Sequence, residues 1–114
     1  MRRAFSAGVA ALALSACATT PTTARYSGTW DWHFETSSFS TDDGRGPWWL
    51  HADGAEWEQI NAPLSEAGAG TWGRVHLIVE GELSPPGQYG HMAAYERQFR
   101  ITKVLDVRRV EPRP

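Results

Sequence analysis

The residues best suited to chemistry lie in one sixteen-residue stretch, SPPGQYGHMAAYERQF, from position 84 to position 99. Histidine titrates near pH 6.5, so His91 is the natural candidate for a general base. However, no nucleophile or orienting acid stands at a recognisable spacing from it, and the chain contains no Gly-x-Ser-x-Gly elbow. The sequence therefore favours a protein without enzymatic activity. A hydrolase or transferase acting through His91 is the alternative.

The histidines do not form a metal-binding pattern. The chain has no His-x-His pair, no His-Glu-x-x-His motif and only one cysteine, whereas a metal site needs several ligands at close spacing. The four histidines are His33, His51, His76 and His91. The sequence therefore predicts no metal and no other cofactor.

Aromatic residues are the strongest indication of binding, because the chain contains six tryptophans. Trp48 and Trp49 are adjacent, so in a strand they point to opposite faces and at most one enters the core. The other is able to stack on a sugar, a peptide or a lipid, or to lie beneath a loop. The candidate ligand-binding residues are Trp48, Trp49, Tyr89, His91, Tyr95 and Arg97.

The same stretch also has the composition of a connection between two strands. Pro86-Gly87 suits the centre of a type II turn, in which the glycine takes a positive φ. Gly90 allows a second unusual backbone angle, and residues 92–95 are predicted to form one helical turn. We expect this structural role to come first and ligand binding second.

The N-terminus has the features of an export signal. Arg2 and Arg3 precede an apolar run from Ala4 to Leu14, which is too short to span a bilayer as a stable helix. The segment Leu-Ser-Ala-Cys that ends at Cys17 resembles the lipobox of bacterial lipoproteins. This resemblance implies cleavage before Cys17, attachment of a diacylglycerol to its thiol, and acylation of the new amine.

Several acyl chains hold a protein stably on a membrane, whereas one chain is marginal. In the lipoprotein family an aspartate after the cysteine tends to retain the protein at the inner membrane. Here residue 18 is alanine, so the resemblance implies an outer-membrane location facing the periplasm. Since Cys17 is the only cysteine, no disulfide is expected.

Four regions follow from this interpretation. Residues 1–16 form the signal peptide, 17–26 a lipidated flexible tether, 27–110 a small β-barrel domain, and 111–114 a disordered tail. The whole chain has 11 basic and 13 acidic residues, and loss of Arg2 and Arg3 leaves nine against thirteen. An exported acidic chain lacks the basic groove that nucleic acid requires, so no nucleic-acid partner is expected.

Between residues 27 and 110, apolar and polar residues alternate as in half-buried strands. Five segments are predicted as strands, and no helix is predicted after the signal peptide. They are Trp30–Phe34, Trp48–His51, Glu56–Ile60, Arg74–Leu83 and Gln98–Arg109. Asp53-Gly54 is expected to form a tight hairpin turn, and residues 61–73 a loop, with one helical turn within it as an alternative.

The fourth predicted strand is the clearest. Its inward row is expected to contain Val75, Leu77, Val79 and Leu83, with Gly81 at a bulge or bend. The inward residues of the other strands are expected to include Trp30, Trp32, Phe34, Phe99, Ile101, Leu105 and Val107. We predict an all-β fold, a small antiparallel five-stranded barrel of OB-like form. A lipocalin-like barrel, suggested by Gly28-Thr29-Trp30, and a sandwich are the alternatives.

Residues 34–39, the Trp-Trp-Leu segment and residues 84–91 together resemble small bacterial envelope proteins of uncharacterised activity. That resemblance assigns no functional residue. The prediction is a lipid-anchored envelope protein whose β domain binds a ligand, a protein or a glycan without catalysis. A purely structural accessory subunit is the third possibility.

Overall fold

The computed structural model describes residues 22–66, 68 and 72–110 of the 114-residue chain. This part of the chain contains five strands, one α-helix and one short 3-10 helix. In chain order they are β1 (Thr22–His33), β2 (Thr36–Thr41), β3 (Trp48–His51), α1 (Gly54–Glu66), β4 (Gly73–Leu83), the 3-10 helix (His91–Ala93) and β5 (Gln98–Val110). Within these residues, no helix has both the length and the apolar character needed to cross a membrane.

The strands close into a ring in the order β1–β2–β3–β5–β4, and β4 pairs with β1. All neighbouring pairs are antiparallel except β3 and β5, which run parallel. The prediction of an all-β, five-stranded fold is therefore confirmed at that level. The prediction of a purely antiparallel sheet is wrong, because β3 and β5 run parallel. The helix α1 and strand β4 lie between these two strands in the chain.

The interior of the ring is filled by alternate residues of every strand and by two residues of the helix. One polar connection crosses it: the indole Nε1 of Trp30 donates to Ser37 Oγ at 2.9 Å, and Ser37 donates to the Leu50 carbonyl at 2.8 Å. The buried apolar residues are Trp30, Phe39, Trp48, Leu50, Ile60, Leu64, Val75, Leu77, Val79, Phe99 and Ile101.

The prediction for strand β4 agrees best with the structure. Val75, Leu77 and Val79 of β4 are completely buried, and Leu83 packs against the core from its edge. The pairing with β5 shifts register between Glu80 and Gly81, as expected of a bulge. A Cβ on Gly81 would lie 2.6 Å from the Phe99 ring, so only glycine allows β5 to approach this closely.

The segment after β3 is a helix, so three predictions about it are wrong. Asp53-Gly54 does not form a hairpin turn, Glu56–Ile60 is not a strand, and residues 61–66 are not a loop. Trp57, Ile60 and Leu64 have the i, i+3, i+7 spacing of one helical face, and Ile60 and Leu64 are completely buried. The Trp57 ring lies 5.0 Å from that of Trp32, so the helix covers one opening of the ring.

Strand β2 was not predicted, and its place in the chain explains two further errors. Strand β1 ends at His33, and Phe34 and Glu35 form the turn to β2. Phe34 is therefore 66 % exposed and not inward, and Glu35 has a φ of 59°. Leu105, also expected inside, is 38 % exposed, because the inward alternation of β5 ends after Ile101.

The predicted domain boundaries change at the N-terminal side. Strand β1 begins at Thr22, within the 17–26 segment that was predicted to be a flexible tether. The signal peptide 1–16, Cys17 and the tail 111–114 lie outside the described residues, and the predictions for them stay predictions.

Candidate functional site

The connection between β4 and β5, residues 84–97, folds back on itself, and we call it the flap. Tyr89 and Tyr95 form an antiparallel backbone bridge, with N–H···O distances of 2.9 and 3.1 Å, and the Gly87 amide donates to the Glu96 carbonyl at 2.9 Å. The Tyr89 hydroxyl donates to the Pro85 carbonyl at 2.9 Å. The flap is therefore an ordered hairpin, and Tyr89 has a structural role within it.

Strand β3 lies directly beneath the flap. The Trp49 amide donates to the Arg97 carbonyl at 3.0 Å, and the Trp49 ring meets the Tyr95 ring edge to face at 5.3 Å. Gly90 lies so close to Trp49 that an added Cβ would overlap the indole. Trp48 is 7 % exposed on the opposite, inner face, so the prediction for the two adjacent tryptophans is confirmed.

The backbone of the flap differs from its prediction at one glycine and agrees at the other. Gly90 has a φ of 72° and a ψ of −162°, a region that is essentially restricted to glycine. Gly87 does not have a positive φ, so the predicted type II turn is wrong. The left-handed residues that follow Gly90 are Met92 and Ala93, at φ 59° and 55°. A helical turn was predicted over residues 92–95, whereas the structure has a 3-10 helix at His91–Ala93 in which Met92 has non-helical angles.

A cleft of ≈ 530 Å³ separates the flap from the loop between β2 and β3. Pro47 and Trp48 line one side, and Tyr95, Glu96 and Arg97 line the other. One Arg97 Nη donates to the Ser84 carbonyl at 3.0 Å. Among the described residues no carboxylate forms an ion pair with Arg97, in contrast to Arg25, Arg45 and Arg100. The cleft thus combines an aromatic surface with a guanidinium that has no acidic partner.

The loop on the other side of the cleft is fixed by Arg45. Its guanidinium lies 5.1 Å from the centre of the Tyr26 ring and 5.8 Å from that of Trp48, within cation–π range. It also bonds to the Asp43 carboxylate at 3.1 Å. Hydrogen bonds from the Thr41 hydroxyl and from Arg45 hold the pKa of Asp43 below its usual value, and the bond to Asp43 raises the pKa of Arg45.

Every histidine of the chain lies beside a carboxylate, an arrangement that the sequence analysis missed. The pairs are His33–Asp31 at 3.0 Å, His51–Asp53 at 2.9 Å, His76–Asp42 at 3.0 Å and His91–Glu35 at 2.5 Å. In the pairs His33–Asp31 and His51–Asp53, the two partners are two positions apart in the sequence. Within the described ranges, no three His, Cys, Asp or Glu side chains group as metal ligands.

His76 belongs to a Ser–His–Asp cluster on the outside of the barrel. Ser27 Oγ donates to Asp42 Oδ2 at 2.6 Å, and His76 Nε2 lies 3.0 Å from the same oxygen and 3.4 Å from Ser27 Oγ. In a catalytic triad the acid and the serine contact different imidazole nitrogens. Here both contact Nε2, while Nδ1 is buried without a partner. The cluster therefore connects β1, β4 and the β2–β3 loop and does not activate the serine.

Asp42 is the group whose ionisation this cluster changes. The hydrogen bond from Ser27, followed by that from His76, holds the pKa of Asp42 below its usual value of 3.8. Nothing in the sequence connects the three residues, because Ser27 and His76 are 49 positions apart. The pairing of β1 with β4 brings Ser27 beside His76, and the pairing of β1 with β2 adds Asp42.

His91 lies at the tip of the flap, where its Nε2 pairs with Glu35 in the β1–β2 turn. It does not line the cleft. The fold therefore brings Trp48, Tyr95 and Arg97 together on the cleft, places Trp49 and Tyr89 in contact with Tyr95, and leaves His91 apart. Comparison of the chain with family models, with curated proteins and with solved structures finds no match.

Proposed function

We propose that this chain is a lipid-anchored protein of the bacterial envelope whose β domain binds a ligand, without catalysis, in the cleft beside the flap. The observation that carries this proposal is the convergence of Trp48, Tyr95 and Arg97 on one cleft. Trp48 belongs to β3, whereas Tyr95 and Arg97 belong to the flap, so only the fold brings these two segments to one cleft.

We propose that the barrel is of the OB type. Five strands in the ring order 1–2–3–5–4, a parallel β3–β5 pair and a helix between β3 and β4 support this assignment. In OB folds the loops after β1 and after β4 flank the face of β2 and β3 that binds ligands. In this chain the corresponding loops meet through Glu35 and His91. The cleft lies beside the second of them.

The chemistry of the cleft indicates the class of ligand. The Tyr95 ring is partly exposed in the cleft and favours a flat apolar group, such as a sugar ring or the side chain of a peptide. Trp48 is largely buried and forms the floor of the cleft beneath it. The Arg97 guanidinium, which has no acidic partner among the described residues, favours an anionic group on the same ligand. We therefore expect an anionic glycan or peptide segment of the envelope. The excess of acidic over basic residues does not favour nucleic acid as the ligand.

The anchor is supported by the lipobox-like sequence that ends at Cys17. Cys17→Ser removes the only thiol that is able to accept a lipid. The variant should remain unprocessed or become soluble after export, whereas the wild-type protein should enter the detergent phase. Identical partitioning of the two proteins would contradict the lipid anchor.

One observation favours a second function, hydrolysis or group transfer through His91. Glu35 lies 2.5 Å from His91 Nε2, close enough to orient an imidazole. Both side chains are about two-fifths exposed, and no hydroxyl among the described residues bonds to His91. The geometry supports a connection between two loops better than a general base. If folded His91→Ala protein failed to replace the wild type in cells, the catalytic function would be favoured.

The cleft is tested by photo-crosslinking in the native envelope. A photoreactive residue replaces Glu96, which is exposed and lines the cleft, or Glu58, which is exposed on α1 and serves as the matched control. We expect an adduct from position 96 only, and its loss when Arg97→Ala is added. Digestion with a muramidase or with a protease then identifies the adduct as glycan or protein.

Two results would contradict the proposal. Equal adducts from positions 96 and 58 would mean that contacts in the envelope are not specific to the cleft. Absence of any adduct from position 96, in protein that is folded and anchored, would favour the structural accessory subunit.

A further inference from the structure

Large apolar side chains are exposed mainly in one place. Phe34 is 66 % exposed, Trp72 is 52 % exposed and Met92 is 82 % exposed. The fourth large apolar side chain that is exposed within the described ranges, Leu105, is 38 % exposed and lies on β5. Phe34, Trp72 and Met92 together are called the apolar rim.

The apolar rim is formed by three separate segments that meet at one end of the barrel, with Phe34 and Trp72 in ring contact. The Phe34 and Trp72 rings lie 6.2 Å apart between centroids. The pair between Glu35 and His91, at 2.5 Å, brings the tip of the flap to the β1–β2 turn. Phe34 precedes Glu35 and Met92 follows His91, so the third side chain joins the same surface. Contiguous exposed apolar surface of this kind marks contact sites on soluble domains.

The acidic groups beside the apolar rim are paired. Glu35 lies against His91, and Asp31 lies against His33 at 3.0 Å. Both carboxylates are thus engaged by hydrogen-bonding partners at the border of the rim. A pair of this kind has no net charge only when its imidazole carries a proton.

The length of chain before β1 limits how far the barrel is able to move from its anchor. Since β1 begins at Thr22, four residues separate the predicted acylated Cys17 from the first strand. A chain of five residue steps spans at most about 18 Å when fully extended. An anchor at Cys17 would thus hold the barrel directly on the bilayer surface.

We propose that the apolar rim is a second membrane contact, which inserts into the headgroup region of the bilayer that holds Cys17. This inference depends on the proposed lipid anchor. Aromatic side chains are favoured at the membrane–water interface, and two weak attachments together give stable binding. Because Thr22 and Phe34 are separated by the length of β1, contact at both positions lays this strand along the bilayer plane.

The test uses the full acylated protein in vesicles of phosphatidylethanolamine and phosphatidylglycerol. Cys17 is the only cysteine and its thiol is blocked by the lipid, so Met92→Cys or Leu105→Cys supplies a single site for a polarity-sensitive fluorophore. We expect the fluorophore at position 92 to shift to the blue and to be quenched by nitroxide lipids. At position 105, the matched control, it should remain in water. Phe34→Ser and Trp72→Ser should reduce the difference.

A second measurement does not depend on acylation. The chain from Ala18 onward contains every described element and core residue. A cooperative thermal melt of this chain is the required check that it is folded. This chain should bind the same vesicles weakly, and Phe34→Ser with Trp72→Ser should lower its partition coefficient about tenfold. Leu105→Ser should leave the coefficient unchanged.

Several results would overturn the apolar rim as a membrane contact. One is equal exposure to water at positions 92 and 105 in the anchored protein. Another is protection of position 92 in the lipid-free chain that grows with protein concentration, which would assign the rim to a second copy. Failure of the anchor itself is recognised separately, because the mass of the N-terminal peptide shows whether Cys17 is acylated. If it is not, the partition coefficients of the chain from Ala18 onward test the membrane contact of the apolar rim.

Discussion

Strands β4 (Gly73–Leu83) and β5 (Gln98–Val110) form one wall of the barrel, and the flap connects them. Different interactions stabilise the wall and the flap. In the wall, Val75, Leu77 and Val79 are completely buried. In the flap, every residue from 84 to 97 is at least partly exposed. The flap is held by a few backbone bonds, by the contact of Gly90 and Tyr95 with Trp49, and by one ion pair. The comparison shows that the buried wall supplies most of the stability, whereas the flap beside the cleft has a low local stability.

The largest effect is expected in the wall. Leu77→Ala leaves a cavity in a completely buried row and should lower the free energy of unfolding by about 2–5 kcal/mol. The measurement is denaturant unfolding of the chain from Ala18 onward.

His76→Ala, on the outer face of the same strand, is the control. A fully solvated position would change stability by less than about 0.5 kcal/mol. Because the His76 side chain is only 14 % exposed and bonds to Asp42, we expect a loss of about 0.5–1.5 kcal/mol. A larger loss from His76→Ala than from Leu77→Ala would contradict the assignment of β4 faces.

The next largest effect is expected at Gly90. Its backbone angles are restricted to glycine, and a Cβ would overlap Trp49. Gly90→Ala should therefore destabilise the flap by about 1–3 kcal/mol. Gly87→Ala is the matched control, because Gly87 has no positive φ and its nearest neighbour is the movable Tyr89 ring at 3.0 Å. Equal melting temperatures for the two variants would show that Trp49 does not constrain the flap.

A smaller effect is expected from the ion pair at the tip of the flap. Glu35→Gln should change global stability by no more than about 1 kcal/mol, because both partners are partly exposed. Its effect should instead appear as faster hydrogen exchange at the Tyr89 and Tyr95 amides. Asp31→Asn removes a similar pair away from the flap and should leave these amides unchanged. If both variants had the same effect, the pair would not hold the flap.

The smallest effect concerns pH and the outer cluster. The pKa of Asp42 is below 3.8 in the folded protein, so Asp42 favours the fold above that pH. This contribution is lost as the pH falls through the folded-state pKa. Asp42→Asn should therefore flatten the decrease of the melting temperature below about pH 4. If Asp42→Asn left the pH dependence of the melting temperature unchanged, the Ser27–Asp42–His76 cluster would not contribute to stability.

The sequence predicted those parts of the fold whose pattern is local. The inward row of β4, the bulge at Gly81 and the opposite directions of Trp48 and Trp49 follow from an alternation of two. Trp48, Tyr95 and Arg97 were predicted as ligand-binding residues from their types, because aromatic and basic residues beside loops are typical of ligand sites.

The missing parts depend on contacts between distant segments. The inward positions of β2 include the buried hydroxyls of Ser37 and Thr41. Ser37 bonds to Trp30 and Leu50, and Thr41 accepts from the Arg45 amide. The helical spacing of Trp57, Ile60 and Leu64 was present in the sequence, but Asp53-Gly54 and Pro63 indicated a turn and a loop instead. Pro63 lies inside the helix, where packing of Leu64 against the barrel outweighs the lost backbone bond.

Hydrogen exchange of the wild-type protein tests the central claim most directly, that the flap and the wall are separate cooperative units and that the flap is the less stable one. The account predicts that the Tyr89 and Tyr95 amides exchange at least about tenfold faster than the amides of β4. It also predicts that Leu77→Ala accelerates exchange in β4 and leaves the flap amides almost unchanged. Equal rates in the flap and in β4, altered together by Leu77→Ala, would show one cooperative unit and would contradict the account.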